Sequence, residues 1–200
     1  MIWLILPLLL LGCAPTSPFI GVKNLYEAKG TTIVCFGDSI TAGSGASPGK
    51  DYPTRLSQKV KLPVVNLGRS GDTTESALLR IEEIFKHDPR IVIVELGGND
   101  YIRRFPSSKT FDDLRQIVEK VQEKKAVAVV ISMPLGPGYE SGYIGLAKKK
   151  GAVPIEGVMG SIFDDKNLMA DELHPNSRGY EKLAEEIAKV IDPLLEEMGP

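Results

Sequence analysis

A serine that could act as a nucleophile directly follows an apolar run of the chain. Residues 33–36 read Ile-Val-Cys-Phe and are followed by Gly37, Asp38 and Ser39. A short apolar run rich in β-branched residues predicts a buried strand, and ligands of open parallel sheets bind beyond the carboxyl ends of the strands. Because serine is also common in turns, the assignment of Ser39 depends on partners elsewhere in the chain.

Two residues near the end of the chain could activate that serine. A hydroxyl is a poor nucleophile until a base takes its proton, histidine is the usual base near neutral pH, and a carboxylate fixes the imidazole tautomer. Of the two histidines, His87 ends a predicted helix before Asp88, where a surface role is expected. His174 instead lies in a loop three residues after Asp171.

Hydrogen-bond donors for a developing oxyanion are the remaining requirement of acyl transfer. Gly71 and Asn99 each lie in a loop rich in turn residues that follows a predicted strand. Together with the loops that hold Ser39 and His174, these loops are expected at one rim of a sheet. Asp38 is too close to Ser39 in sequence to be expected as the triad acid, and a role in bracing the loop is the prediction for it.

Strands alternate with helices along the whole chain, which predicts a parallel sheet covered on both faces. The fold class is therefore α/β, a three-layer αβα architecture with a flavodoxin-like, five-stranded parallel sheet and strand one central. Strands are predicted at residues 31–36, 63–67, 91–94, 126–131 and, as an edge strand, 153–155.

Helical patterns separate these strands. Asp72 is predicted to cap a helix through residue 85, with Glu75 in the capping-box position. Residues 134–145 are predicted to be an irregular loop that precedes a short helix. The other predicted helices are residues 51–60, the stretch around 111–121, and a last helix capped by Asn176 or Ser177.

Composition and charge exclude several classes of protein. Two hundred residues suit one domain, and 24 basic against 26 acidic side chains predict no nucleic-acid partner. Lys148–Lys150 is predicted to close a helix, and no glycine-rich phosphate loop follows the first strand. The two cysteines do not have metal-site spacing, so neither a metal nor a cofactor is predicted. Cys35 is expected to be a small buried hydrophobe.

The first residues of the chain resemble the signal peptide of a bacterial lipoprotein. Residues 1–12 are almost wholly apolar but too short to span a bilayer, which takes roughly 20 residues. Leu10–Cys13 resembles a lipobox, and a Pro-rich stretch follows. We predict a signal peptide at 1–12, a lipidated Cys13 with a tether at 13–30, and a catalytic domain at 31–200. The expected location is the cell envelope, anchored by lipid, or alternatively the periplasm or the medium.

Taken together, four motifs resemble those of the SGNH hydrolases, or GDSL esterases and lipases. They are Gly37–Ser39, Ser70–Thr73, Gly97–Asp100 and Asp171–His174, and the resemblance spans roughly residues 31–195. Within the family the chain is most similar to the thioesterase I/arylesterase/lysophospholipase branch, because of residues 94–100 and 70–74.

The resemblance implies a role for each matching residue. Ser39 would be the nucleophile, His174 the base and Asp171 its orienting carboxylate. The backbone N–H groups of Ser39 and Gly71 and the side-chain amide of Asn99 would form the oxyanion hole. The chain departs from the branch at residues 101–105 and 134–145, which leaves the acyl chain length open.

The sequence thus predicts a serine esterase that cleaves small-molecule carboxylic esters or thioesters, such as short acyl esters or lysophospholipids. Two alternatives stay open. One is a carbohydrate O-acetyl esterase acting on an acetylated glycan, since the family includes such enzymes. The other is a non-catalytic flavodoxin-like binding module on a lipid anchor.

Overall fold

A computed structural model describes residues 17–200, and the predicted signal peptide and Cys13 lie outside them. Its centre is one five-stranded parallel sheet in the order β2-β1-β3-β4-β5, so the flavodoxin-like prediction is confirmed. Strands β3 and β4 are buried along almost their whole length, as is typical of parallel strands covered on both faces. The strands are β1 (Thr32–Gly37), β2 (Val64–Gly68), β3 (Pro89–Glu95), β4 (Val127–Ile131) and β5 (Val153–Ile155).

Helices cover the sheet in two packed groups, α2 with α8 and α5 with α3 and α6. The helices are α1 (Ser39–Ala42), α2 (Tyr52–Leu56), α3 (Thr74–Leu79), α4 (Gly98–Ile102), α5 (Ser107–Glu123), α6 (Tyr139–Lys150), α7 (Val158–Phe163) and α8 (Ser177–Met198). Two 3₁₀ helices add Ile81–His87 and Lys166–Leu168. Within residues 17–200, no helix has the length and apolar character needed to cross a membrane.

Two of the predicted helices differ in the structure. The cap of α3 is Thr73, which forms a reciprocal capping box with Ser76, whereas Asp72 pairs with Arg80. The pattern expected to run to residue 85 breaks after Leu79 and continues as the 3₁₀ helix. The predicted loop at 134–145 is helical from Tyr139, because Gly142 packs against the ring of Phe111 where any side chain would collide.

Residues before the predicted domain boundary also belong to the packed domain. Phe19, Leu25 and Ala28 are buried. The backbone N–H of Lys23 donates to the Gly151 carbonyl at 2.8 Å, and the Asn24 amide donates to the carbonyl of Ala126 at 3.0 Å. The packed chain therefore begins before Thr31, and this segment lies at the amino ends of β4 and β5.

Candidate active site

The predicted nucleophile lies just beyond the carboxyl end of β1, which is the second strand of the sheet, whereas β3 is the central one. Asp38 caps α1 through a hydrogen bond from the Ile40 N–H, which makes Ser39 the first residue of that helix. Gly37 is required at the end of β1, because a Cβ there would collide with the Thr41 side chain and with the backbone of the neighbouring strand β3. The local sequence thus forces Ser39 out of the sheet into the crevice above it.

Ser39, His174 and Asp171 form one hydrogen-bonded chain. Ser39 Oγ lies 3.0 Å from His174 Nε2, and His174 Nδ1 lies 2.9 Å from Asp171 Oδ2. With its proton on Nδ1, the imidazole donates to Asp171 and leaves Nε2 free to accept the serine proton. Ser39 and His174 are 135 positions apart in the sequence, and the fold brings them together with Asp171.

The loop that carries His174 is ordered by the same carboxylate. Asp171 Oδ1 accepts hydrogen bonds from the N–H groups of Leu173 and His174, each at 2.8 Å. The hydrogen bond with the His174 ring, followed by these backbone donors, lowers the pKa of Asp171 to about 2. Asp171 thus stays ionised at neutral pH, although its side chain is half exposed.

Two residues that line the cleft have backbone N–H groups without a hydrogen-bond partner in the described part of the chain. The N–H groups of Ser39 and Gly71 donate no hydrogen bond to any group in residues 17–200. Gly71 has φ +85°, a conformation that favours glycine, and it lines the same cleft as Ser39. Both donors are therefore available to an oxyanion, and their role in an oxyanion hole stays a prediction.

Asn99 lines the cleft but is already engaged. Its Nδ2 donates to Asp38 Oδ2 at 3.1 Å and to the Asp72 carbonyl at 2.9 Å. Because both partners are acceptors, the nitrogen rather than the oxygen of the amide faces them. To serve as a third oxyanion donor, the amide must share or release one of these hydrogen bonds, so that role stays a prediction. The contact with Asp38 agrees with the bracing role predicted for that residue.

Two arginines support the site without having been singled out from the sequence. Arg80 donates to the Gly37 carbonyl at 3.0 Å and to Asp72 at 2.6 Å, with both side chains buried. Arg103 donates to the Gly71 carbonyl at 3.0 Å. Neither lies in a motif, and only the departure noted at residues 101–105 drew attention to this part of the chain.

The two remaining candidates have the surroundings that the sequence predicts for them. Cys35 is fully buried, which raises the pKa of its thiol to about 12 and makes it inert as a nucleophile. His87 ends the first 3₁₀ helix, away from the cleft. No group of three or more His, Cys, Asp or Glu side chains within the described chain has the arrangement of a metal site.

The site opens into a cleft of about 500 Å³ whose walls are mainly apolar. The polar side of the cleft carries Ser39, Gly71, Asn99 and His174. The apolar walls are built by Ile40, Ile102, Met133, Leu135, Phe163 and Leu173. An activated hydroxyl beside an apolar groove can accept an acyl group and its hydrocarbon chain.

Comparisons with known proteins agree with this chemistry. Residues 35–182 match the model of the GDSL-like lipase/acylhydrolase family. A thioesterase 1/protease 1/lysophospholipase L1 of Escherichia coli K12 is 32% identical over 88% of this chain and 91% of its own length. Esterase TesA of Pseudomonas aeruginosa PAO1 is 28% identical over 94% and 98%. The structure of esterase EstA from Pseudoalteromonas has a TM-score of 0.74 at 25% identity, covering 83% of this chain and 99% of that one.

Proposed function

The chain belongs to the GDSL-like lipase/acylhydrolase family, and from that premise we propose that it hydrolyses carboxylic esters and thioesters through an acyl-enzyme on Ser39. The observation that carries the proposal is a pair of hydrogen bonds: Ser39 Oγ lies 3.0 Å from His174 Nε2, and His174 Nδ1 lies 2.9 Å from Asp171. These residues border the cleft, which is also lined by Gly71, and within residues 17–200 the N–H groups of Ser39 and Gly71 have no partner.

The proposed reaction has two stages, acylation of Ser39 and hydrolysis of the acyl-enzyme. His174 takes the Ser39 proton as Oγ bonds to the acyl carbon, and the oxyanion accepts from the N–H groups of Ser39 and Gly71. Asp171 stabilises the imidazolium. His174 then gives its proton to the alcohol or thiol, which departs. The acyl group stays bonded to Ser39 as the acyl-enzyme. A water molecule loses a proton to His174, attacks the acyl carbon and releases the carboxylic acid, and the proton returns to Ser39.

We propose that the substrate carries a medium-length hydrocarbon chain rather than an acetyl group. The walls of the cleft offer an apolar surface far larger than an acetyl group covers. Each further buried CH₂ contributes about 0.8 kcal/mol, so kcat/KM is expected to rise along an acyl series. The names of the relatives include lysophospholipase and thioesterase, which support acyl substrates of this class.

The experiment compares p-nitrophenyl esters of increasing chain length with a lysophospholipid, an acyl thioester and an acetylated xylan. Rising kcat/KM from acetyl to octanoyl, with cleavage of the lipid or thioester, supports the proposal. Activity confined to acetyl groups on the glycan would instead favour a carbohydrate O-acetyl esterase. Absence of any turnover would favour a binding module.

Ser39→Ala tests the nucleophile in the same assay. Loss of a triad serine leaves only the acceleration supplied by binding and the oxyanion donors. Ser57→Ala is the matched control, because within residues 17–200 the Ser57 hydroxyl donates only to the Thr54 carbonyl in its own helix turn. Wild-type turnover by purified, folded Ser39→Ala would exclude the acyl-enzyme proposed here.

For the amino-terminal segment we propose lipidation at Cys13 and a location in the cell envelope. The support is the sequence alone, an apolar stretch that ends in Leu10–Cys13. Three residues separate Cys13 from Ser17, where the described chain begins. A membrane held at Cys13 would therefore lie near the amino ends of β4 and β5, at the rim opposite the cleft.

A further inference from the structure

Two carboxyl groups are buried directly beneath the nucleophile, and the reaction described above uses neither. Asp38 precedes Ser39 and is 2% exposed, and Glu95 ends β3 and is fully buried. The Asp38 N–H donates to the Glu95 carbonyl at 3.3 Å, and the two side chains lie within hydrogen-bonding reach of each other. Two carboxyl groups can share such a contact only when one of them carries a proton, because an ionised carboxylate only accepts.

Hydrogen-bond partners indicate which carboxyl carries that proton. Asp38 accepts from the Ile40 N–H at 3.0 Å and from Asn99 Nδ2 at 3.1 Å, and both contacts favour its ionised form. Glu95 Oε2 accepts from the Thr41 hydroxyl at 2.9 Å and the Thr41 N–H also favours the charged form, but Oε1 receives no hydrogen bond from any donor in residues 17–200, whereas both oxygens of Asp38 accept one. The shared proton therefore belongs to Glu95.

The pKa shifts of the pair have the same direction. Burial, followed by the charge of Asp38, raises the pKa of Glu95 well above its ordinary value. Burial raises the pKa of Asp38 to about 6, against the opposing effect of its hydrogen-bond donors. At neutral pH the pair thus holds one proton and one negative charge.

The pair is the middle of a buried hydrogen-bond chain that reaches the oxyanion site. Thr41 has one hydroxyl proton and donates it to Glu95, so its 3.1 Å contact with Tyr52 leaves the phenol as donor. The chain runs from Tyr52 through Thr41 and Glu95 to Asp38, where it meets the amide of Asn99. Each hydrogen bond in this series has a defined donor. A substitution of Glu95 is therefore expected to alter the position of the Asn99 side chain.

We propose that Glu95 is a positioning residue for ester hydrolysis: as a neutral carboxylic acid it holds the Asp38 carboxylate in place, and Asp38 in turn holds the Asn99 amide beside the nucleophile. The inference rests on the proposed esterase function. Asp38 receives three hydrogen bonds, from Ile40, Asn99 and Glu95, and loss of one frees the carboxylate to turn. An amide displaced by a fraction of an ångström forms a weaker hydrogen bond with the oxyanion.

A comparison of Glu95→Gln with Glu95→Leu separates loss of the hydrogen bond that Glu95 donates to Asp38 from loss of packing. The Gln amide can donate to Asp38 and accept from Thr41, so kcat on a p-nitrophenyl ester is expected within about threefold of wild type. Leu can do neither, and kcat is expected to fall about tenfold, less than the 10²–10³ for loss of an oxyanion donor itself. KM should change less than about twofold, because the cleft walls are untouched. Equal losses in both variants, or none in Glu95→Leu, would overturn the inference.

A coupling measurement tests the route through Asn99. In an Asn99→Ala background, Glu95→Leu is expected to change kcat by less than about twofold, because the group it positions is already gone. An undiminished tenfold loss would show that Glu95 acts elsewhere. Asp113→Asn is the matched control background. Asp113 is a buried carboxylate that contacts Lys109 and Thr74 instead, so Glu95→Leu should still lower kcat about tenfold in that background.

Infrared spectroscopy reads the proton without any turnover. Wild type at neutral pH should show the carbonyl band of a protonated carboxylic acid, and Glu95→Gln should lack it. An inactive wild type that retains the band would refute the esterase function while leaving the buried proton in place. An active wild type without the band would refute the inference alone.

Discussion

Arg103 Nη2 donates to the carbonyl oxygen of Gly71 at 3.0 Å, so an exposed side chain at the end of α4 holds the loop that presents an oxyanion donor. The N–H of Gly71 belongs to a loop residue at φ +85° and makes no hydrogen bond within the described chain. The peptide between Gly71 and Asp72 is held at two points, since its N–H donates to the Arg69 carbonyl at 3.1 Å and its oxygen accepts from Arg103.

Arg103→Ala is therefore expected to lower kcat. Net hydrogen bonds contribute about 0.5–1.5 kcal/mol, which corresponds to a fall of about two- to tenfold with KM nearly unchanged. Steady-state kinetics on p-nitrophenyl esters measure it. Arg104→Asn is the control, because asparagine tolerates the φ of 58° found there. A rise in KM at constant kcat would assign Arg103 to substrate binding instead.

Asp171→Asn is expected to abolish most turnover. Its amide nitrogen would face His174 Nδ1 as a donor and force the ring proton onto Nε2, where it blocks acceptance of the Ser39 proton. In serine triads the same change costs about 10⁴ in kcat. Asp164→Asn, an exposed aspartate on the neighbouring α7 turn, is the control. Retention of more than a tenth of wild-type kcat would mean that Asp171 only orders its loop.

Asn99→Ala is expected to lower kcat by about 10²–10³, the range for loss of one oxyanion donor. In the structure the amide is held by Asp38 and the Asp72 carbonyl, so the donor must be shared when the oxyanion forms. Kinetics combined with thermal unfolding separate the two roles. A lowered Tm with kcat intact would show that Asn99 only braces the loop.

The sheet and the grouping of Ser39, Asp171 and His174 could be predicted from the sequence because each depends on local signals. Residues 33–36 and 91–94 are apolar runs without charge, and Asp171 and His174 are near neighbours in sequence. Because the turn motifs lie beside successive elements of a parallel sheet, they were expected at one rim of it. The predicted fold class is confirmed.

Other features depended on contacts that no local pattern records. Phe19 and Leu25 become core residues only because the ends of β4 and β5 meet them. Helix α6 contains glycines that predict a loop, yet Gly142 is there to admit Phe111. Glu95 lies just beyond the strand predicted at 91–94, and only the pairing of β1 with β3 places it against Asp38.

Glu95 should also make the stability of the fold depend on pH. Its pKa in the folded state is raised, so between the unfolded value near 4.5 and the folded value the native state binds more protons than the unfolded state. The free energy of unfolding then falls as pH rises through that window. Glu95→Gln removes this dependence and should raise Tm relative to wild type at pH 8 but not at pH 4.

Calorimetry of both proteins at those two pH values measures the effect. Asp38 titrates in the same region, with a pKa of about 6, and the Gln amide can donate to it as the Glu95 acid does, so its contribution is expected to be similar in both proteins. Tyr52, Tyr143 and Tyr180 pack near Glu95, but burial raises the pKa of each, and they stay neutral. A difference in Tm that is the same at pH 4 and pH 8 would mean that Glu95 is ionised in the fold.

Cys13→Ser is expected to release the protein from membranes, or leave its precursor unprocessed, without changing ester hydrolysis. Stable anchoring takes more than one acyl chain, at about 0.8 kcal/mol per buried CH₂, and a mature lipoprotein would carry them on Cys13. The cleft lies at the carboxyl ends of the strands, whereas Lys23 and Asn24 contact residues at their amino ends, so kcat/KM on soluble esters should agree within twofold. Labelling with a palmitate analogue, followed by fractionation, measures attachment, and Cys35→Ala should remain labelled. Unlabelled wild type in the soluble fraction would refute the anchor and leave the triad untouched.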